Sequence, residues 1–308
     1  MIRSNPVGNH RVETAHPRRR NRLIAGLAVV VAVAVLGTAA LFFGSGGTST
    51  TASAVPVIGA SVTSRPVAAA DGDVDQVIAQ MVSVFENGTP DIQYDYIDNL
   101  DDGRGYTAGR AGFCTACGDL LTVVQTYTAQ VPNNPLATYL PTLTSLAASG
   151  DDSTRGLNGF KDAWRTAAGD PVFRKVQDQV TDSLYYAPAR KLAQDNGVHS
   201  ALGVAILVDT AVEQGTDNDP DGLPSMVKKT NARVGSTPAA GVDETKWLSD
   251  FLDIRRTTLE NPSSADTSES WGESVGRVDA LAALLKAGNL DLNTPFTINP
   301  FGDQQTIN

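Results

Sequence analysis

HSALGVAILVDTAVEQG, residues 199–215, holds a run from Leu202 to Val208 that is apolar or small on every side of a helix. A helix of that kind has no polar face to turn to water, so it is buried and the rest of the chain has to cover it. Asp209 follows the run directly. An ionised carboxylate there is costly without a partner, and Arg255 and Arg277, on two later helical stretches, are the candidates; otherwise Asp209 faces the edge of the helix.

The covering elements are legible on both sides. VDQVIAQMVSVFEN (74–87) puts Val74, Val77, Ile78, Met81, Val82 and Phe85 on one stripe, the mark of an amphipathic helix. Asn87, Gly88 and Pro90 stop it, which leaves Glu86 in its last turn. Residues 117–131, 137–149, 159–168 and 171–197 repeat the three-to-four spacing, with Pro188 expected to break or bend the last. Residues 243–260 and 272–289 complete the helical set, while 91–100 reads as a short helix or strand leading into a glycine-containing hairpin. The expected class is α+β, mainly α-helical, with one small β element near residues 100–113.

Hydrophobic content of 41% against 19% charged residues describes a globular chain. Residues 1–70 hold seven arginines and one acid; removing these from totals of 24 basic and 34 acidic residues leaves 17 and 33, a net charge near −16 for residues 71–308. Such a surface draws cationic partners and disfavours nucleic acid. His10 and His16 lie in the leader, so His199 alone could serve a Ser/His/Asp triad, and a multi-histidine metal site is excluded. Acid and base work falls to Asp and Glu, with no metal and no cofactor expected.

PRRRNR (17–22), an uncharged apolar run (23–43) and a small-residue A-x-A site at Ala52 to Ala54 make residues 1–54 a secretory signal peptide, with an uncleaved membrane anchor as the alternative. Residues 55–72 read as a flexible spacer and 73–308 as the folded part, which is expected outside the cell and membrane-bound only if the leader remains. Cys114 and Cys117 form a lone CTAC motif, compatible with a short-loop disulfide in an oxidising compartment and structural in either redox state.

Two carboxylates carry the chemical reading. Glu86 ends an apolar helix, where the backbone dipole disfavours its charge; partial desolvation would add to this and raise its pKa toward that of a general acid. Asp102 lies in DDGRGYT (101–107), where Asp commonly bonds the backbone of a turn. Each residue alone has a bland reading, a solvated glutamate or a turn aspartate. Together, one on a helix end and one on a facing hairpin, they are how a glycosidase flanks a sugar bond, and the Thr107 hydroxyl is placed to hold a water.

The segments MVSVFEN, YDYIDNLDDGRGYTAGRAGFC and GDLLTVVQTYT resemble the glycoside hydrolase family 46 chitosanases of actinomycetes and bacilli. NPLATYLPTL, LYYAPA, DETKWLSDFLDIRR, GRVDALAALLKAGNLDLN and GDQQTIN follow in the family's order, so the resemblance spans nearly all of residues 73–308. It implies a lysozyme-like fold of two mainly helical lobes with a small β-sheet beside the substrate cleft, and endo-acting, inverting hydrolysis of β-1,4 bonds in partly deacetylated chitosan. By resemblance Glu86 is the general acid, Asp102 the general base and Thr107 the residue orienting water. Asp209, Arg255 and Arg277 become a buried network supporting the cleft; Tyr96, Arg104, Asp119 and Tyr185 become substrate-binding positions, with Asp119 an anion for a glucosamine ammonium. Gln214 stands where the family commonly has histidine, and NPSSADTSES adds residues between Arg255 and Arg277. A monomer acting on a polycationic polymer is the expectation. A muramidase acting on peptidoglycan and a non-hydrolytic polysaccharide-binding surface module are the alternatives.

Overall fold

The computed structural model describes residues 71–101, 103–263, 271–272 and 274–308, with side chains from Val74 onward. The leader, the spacer up to residue 70 and Asp102 lie outside the described residues. Helix α1 (Asp71–Asn87) leads into a three-stranded antiparallel sheet of β1 (Ile97–Asn99), β2 (Tyr106–Ala108) and β3 (Phe113–Cys114). Helices α2 (Asp119–Gln130), α3 (Leu140–Ser149), α4 (Phe160–Ala168) and α5 (Pro171–Thr181) follow, then α6 (Ala187–Asn196), α7 (Ala201–Gln214), α8 (Leu223–Val234), α9 (Glu244–Glu260) and α10 (Val275–Lys286). A second antiparallel pair, β4 (Phe296–Ile298) with β5 (Gln305–Ile307), closes the chain, and β5 packs on α1.

Two hydrophobic cores divide these elements. The smaller lies under the three-stranded sheet and α2 to α5, where Trp164 meets Phe173 edge to face and packs at a tilt against Phe160, with Tyr127 tilted against Phe173. The larger surrounds α7, whose Leu202, Ile206, Leu207 and Val208 are fully buried among α1, α6, α8 and α10. Burial of each such side chain contributes about 1.5–3 kcal/mol, so the all-round apolar run of residues 202–208 is the axis of the larger core. Residues 199–215 are therefore read correctly as a buried helix.

The chain crosses between the cores twice. The first crossing, residues 88–96, is held by Trp164 Nε1 and Gln177 Nε2, which donate to the Tyr94 carbonyl at 3.1 and 3.0 Å. The second joins α5 to α6 through a wider π turn, Asp182–Tyr186. Pro188 explains it: the residue has no N–H for the Leu184 carbonyl, and its ring crowds that oxygen. The Thr216 hydroxyl donates to the Leu184 carbonyl instead, at 3.3 Å. The expected break at Pro188 thus appears as a bulge one turn upstream.

Helix α8 and the β4–β5 pair are elements the periodicity reading did not name. A proline-led start, a buried stripe of Leu223, Met226, Val227 and Thr230, and Gly235 at φ 83° just beyond the end would have found α8.

Candidate active site

Glu86 sits one residue before the end of α1, and the stop is as the sequence implies: Gly88 adopts φ 72° and donates to the Val84 carbonyl at 2.9 Å. Its side chain is only 8% exposed, which rules out the solvated, frayed glutamate. Arg277 Nη2, from α10, donates to Glu86 Oε1 at 2.7 Å. Burial pushes the Glu86 carboxyl up to about 7; Arg277 pulls the other way, and the nearby charges of Glu213 and Asp209 add to the rise.

Behind Glu86 the expected network is present. Asp209 Oδ1 accepts from Arg277 Nη2 at 2.7 Å, and Asp209 Oδ2 pairs with Arg255 Nη1 at 2.7 Å. Burial alone would raise the Asp209 carboxyl, but the two guanidiniums outweigh it and hold it below its ordinary value. Arg255 Nε also donates to Gln214 Oε1 at 3.0 Å.

Sequence reasoning missed two members, Glu213 and Ser274. Glu213 is fully buried, pairs with Arg277 Nη1 and accepts from the Ser274 hydroxyl at 2.7 Å. It lies one helical turn beyond Asp209, so a second acid on the same face of an all-apolar helix was the available signal.

Of the other predicted residues, Arg104 lies in the turn that joins β1 to β2 and Thr107 on β2 of the small sheet. That turn is built as DDGRGYT implies: Gly103 and Gly105 have φ of 82° and 75°, and a Cβ on Gly105 would meet Thr115 Oγ1 at 2.1 Å. Asp101 also takes a positive φ, 55°, and is exposed. Thr107 pairs with Asp98 on one side and Cys114 on the other. Its hydroxyl is buried and has no hydrogen-bond partner among the described residues. A buried hydroxyl left without a partner costs about 1–3 kcal/mol, so the site is chemically suited to a small polar molecule.

Of the predicted binding positions, Asp119, Arg104 and Tyr185 interact electrostatically with one another, and Tyr185 also with Glu86. Asp119 opens α2 and accepts from the Cys114 and Leu120 amides at 2.8 Å each through Oδ1. Burial pushes its carboxyl up to about 6, against those two bonds and the charge of Arg104. Tyr185, on the π turn, has its phenol raised by burial first and then by the carboxylates of Asp119 and Glu86. One side chain therefore feels charge from both cores. The Arg104 carbonyl accepts from the Ala116 amide at 3.1 Å, and the Tyr96 carbonyl from Gly109 at 2.8 Å, so both residues are tied to the sheet.

Cys114 and Cys117 are joined in a disulfide with Cα atoms 5.2 Å apart. With Asp119 they bring ligand-type atoms within 4.8 Å of one another, but bonded sulfurs offer no thiolate to a metal. His199 is exposed, its amide donating to Glu244 Oε2 at 3.1 Å, and it takes no part in the cluster.

Residues 80–296 match the Glycosyl hydrolase family 46 profile. A chitosanase of Bacillus subtilis (strain 168) is 49% identical over 226 residues, 73% of this chain and 82% of the relative. One from Streptomyces sp. (strain N174) is 38% identical over 297 residues, 95% of this chain and 99% of the relative. Among solved structures, a family 46 chitosanase of Gynuella sunshinyii in complex with chitotetraose superposes with a TM-score of 0.73 at 46% identity, covering 77% of this chain and 98% of that one.

Proposed function

The chain belongs to glycosyl hydrolase family 46 and is a chitosanase that hydrolyses chitosan, and we propose that it cuts within the polymer by a single inverting displacement. Glu86 is the general acid. Its proton passes to the glycosidic oxygen as the bond from that oxygen to the anomeric carbon breaks. Asp102 is the general base: it takes a proton from a water whose oxygen forms the new bond to the anomeric carbon from the opposite face. Thr107, with its buried and unpartnered hydroxyl, orients that water.

The observation that carries this reading is the Glu86 carboxyl, pushed by burial up to about 7 and held on Arg277. A carboxyl so poised is protonated in a large fraction of molecules near neutral pH and still acidic enough to protonate a leaving oxygen. Asp119, Tyr185, Tyr96 and Arg104 line the path of the sugar chain, and Asp119 offers its carboxylate to a glucosamine ammonium. The arginine-flanked apolar leader supports export, which secretion of activity into the culture medium would test.

The test uses residues 71–308 on highly deacetylated chitosan. Proton NMR of the first products is expected to show α-anomers, the result of inversion at a β-bond; initial β-anomers would rule the mechanism out. Glu86→Gln and Asp102→Asn should each lower kcat by about 10²–10⁴-fold with circular dichroism unchanged. Near-normal turnover in either variant removes that residue from its role.

A further inference from the structure

Glu86 belongs to a cluster whose charges do not balance. Arg277 Nη2 bonds Glu86 Oε1 and Asp209 Oδ1, Arg277 Nη1 pairs with Glu213, and Arg255 Nη1 pairs with Asp209 Oδ2. Among the described residues this is three carboxyls on two guanidiniums. Asp209, Glu213, Arg255 and Arg277 are 0–1% exposed, so water cannot compensate the surplus negative charge. A buried site in that position takes up a proton.

Which carboxyl takes it follows from the partners. Asp209 is shared by both guanidiniums. Glu213 accepts from Arg277 and, at 2.7 Å, from the Ser274 hydroxyl. Each of the two thus has both carboxylate oxygens engaged, Asp209 by two guanidiniums and Glu213 by a guanidinium and a hydroxyl. Glu86 accepts a single hydrogen bond among the described residues, and its side chain alone of the three reaches solvent measurably, at 8%. The charged and titratable groups that face it are Asp209 and Glu213 from α7, Arg277 from α10, Arg255 behind Asp209 from α9, and the Tyr185 phenol from the π turn.

We propose that Glu213 is a positioning residue for the acid step: as the third carboxylate on two guanidiniums, it obliges the cluster to keep a proton on Glu86, the carboxyl that faces the substrate. The inference rests on Glu86 as the general acid. When that proton leaves for the glycosidic oxygen, the cluster is left with one surplus negative charge and draws a replacement from solvent along the exposed edge of Glu86. Glu213 itself touches no substrate and loses no proton in the cycle.

The test compares Glu213→Gln, which keeps an acceptor for Ser274 and Arg277 but removes the charge, with Glu213→Asp, which keeps it. For Glu213→Gln the basic limb of the kcat/KM–pH profile should move down by about one pH unit, a tenfold loss above the limb with little change below it. Glu213→Asp should keep the wild-type limb. An unmoved limb in Glu213→Gln, or an equal shift in both variants, overturns the proposal. If Glu213→Gln does not fold, infrared difference spectra of wild type against Glu86→Gln answer the question in the intact cluster. A protonated-carboxyl band near pH 6 that is missing in Glu86→Gln supports the stored proton, and no such band overturns it. An active Glu86→Gln would instead defeat the acid assignment, whereas an inactive Glu86→Gln with an unmoved Glu213→Gln limb defeats this inference alone.

Discussion

Glu86 has an ordinary carboxyl value of 4.5 and is pushed by burial to about 7, and that difference has a sign in stability as well as in catalysis. Between those values the folded protein holds the proton more tightly than the unfolded chain does. The group therefore contributes stability below about 4.5 that is lost as pH rises through about 7. Glutamine at this position carries no such proton. The melting temperature of Glu86→Gln should accordingly rise relative to wild type as pH is taken from about 4 to about 8; a constant offset across that range would contradict the buried, proton-holding carboxyl. The place of Glu86 at a helix end was readable from Asn87, Gly88 and Pro90, because helix stops are local chemistry. Its burial was not, because that depends on Arg277 and on Glu213, which no spacing rule connects to α1. Asp102 stood out as half of a carboxylate pair and through the family likeness, while the turn around it was legible from its glycines alone.

At the scale of elements, α10 sets the position of Arg277, and its own seat is unusually tight. A Cβ on Gly276 would fall 1.7 Å from the Pro300 carbonyl oxygen in the loop between β4 and β5. Backbone cannot be displaced as easily as the end of a side chain. Gly276→Ala should therefore destabilise the protein by about 1–3 kcal/mol in denaturant melts and lower kcat by shifting Arg277 relative to Glu86. Wild-type stability and kcat together would show that α10 has slack there. Long amphipathic elements such as α1 and α9, and the buried α7, were legible because a repeating stripe or its absence reports directly on burial. Helix α8 carries Lys228, Lys229, Asn231 and Arg233 among its apolar positions, and β4 and β5 are three residues each; such short or diluted patterns are fixed by what they pack against.

The whole molecule adds a long-range field. The net charge near −16 over residues 71–308 attracts a glucosamine polymer before any contact forms. Raising salt from about 0.1 M to about 1 M shortens the screening length from ~10 to ~3 Å, which removes this attraction but scarcely reaches the buried cluster. KM for chitosan should therefore rise several-fold with salt while kcat changes little; a loss confined to kcat would place the effect inside the site. The two cores were only partly legible: the helical content came from periodicity, whereas the division into lobes came from family likeness. Periodicity says that a face is buried and does not say against what.

The bond between Glu86 and Arg277 joins residues 191 positions apart, and β5 at the far end of the chain packs on α1. During synthesis the first half of the protein, with its sheet and Glu86, emerges long before the arginine that completes the charge cluster. The buried charge cluster thus assembles late, when the last helix docks, and a chain interrupted before α10 is expected to lack activity on chitosan however well its earlier part had folded.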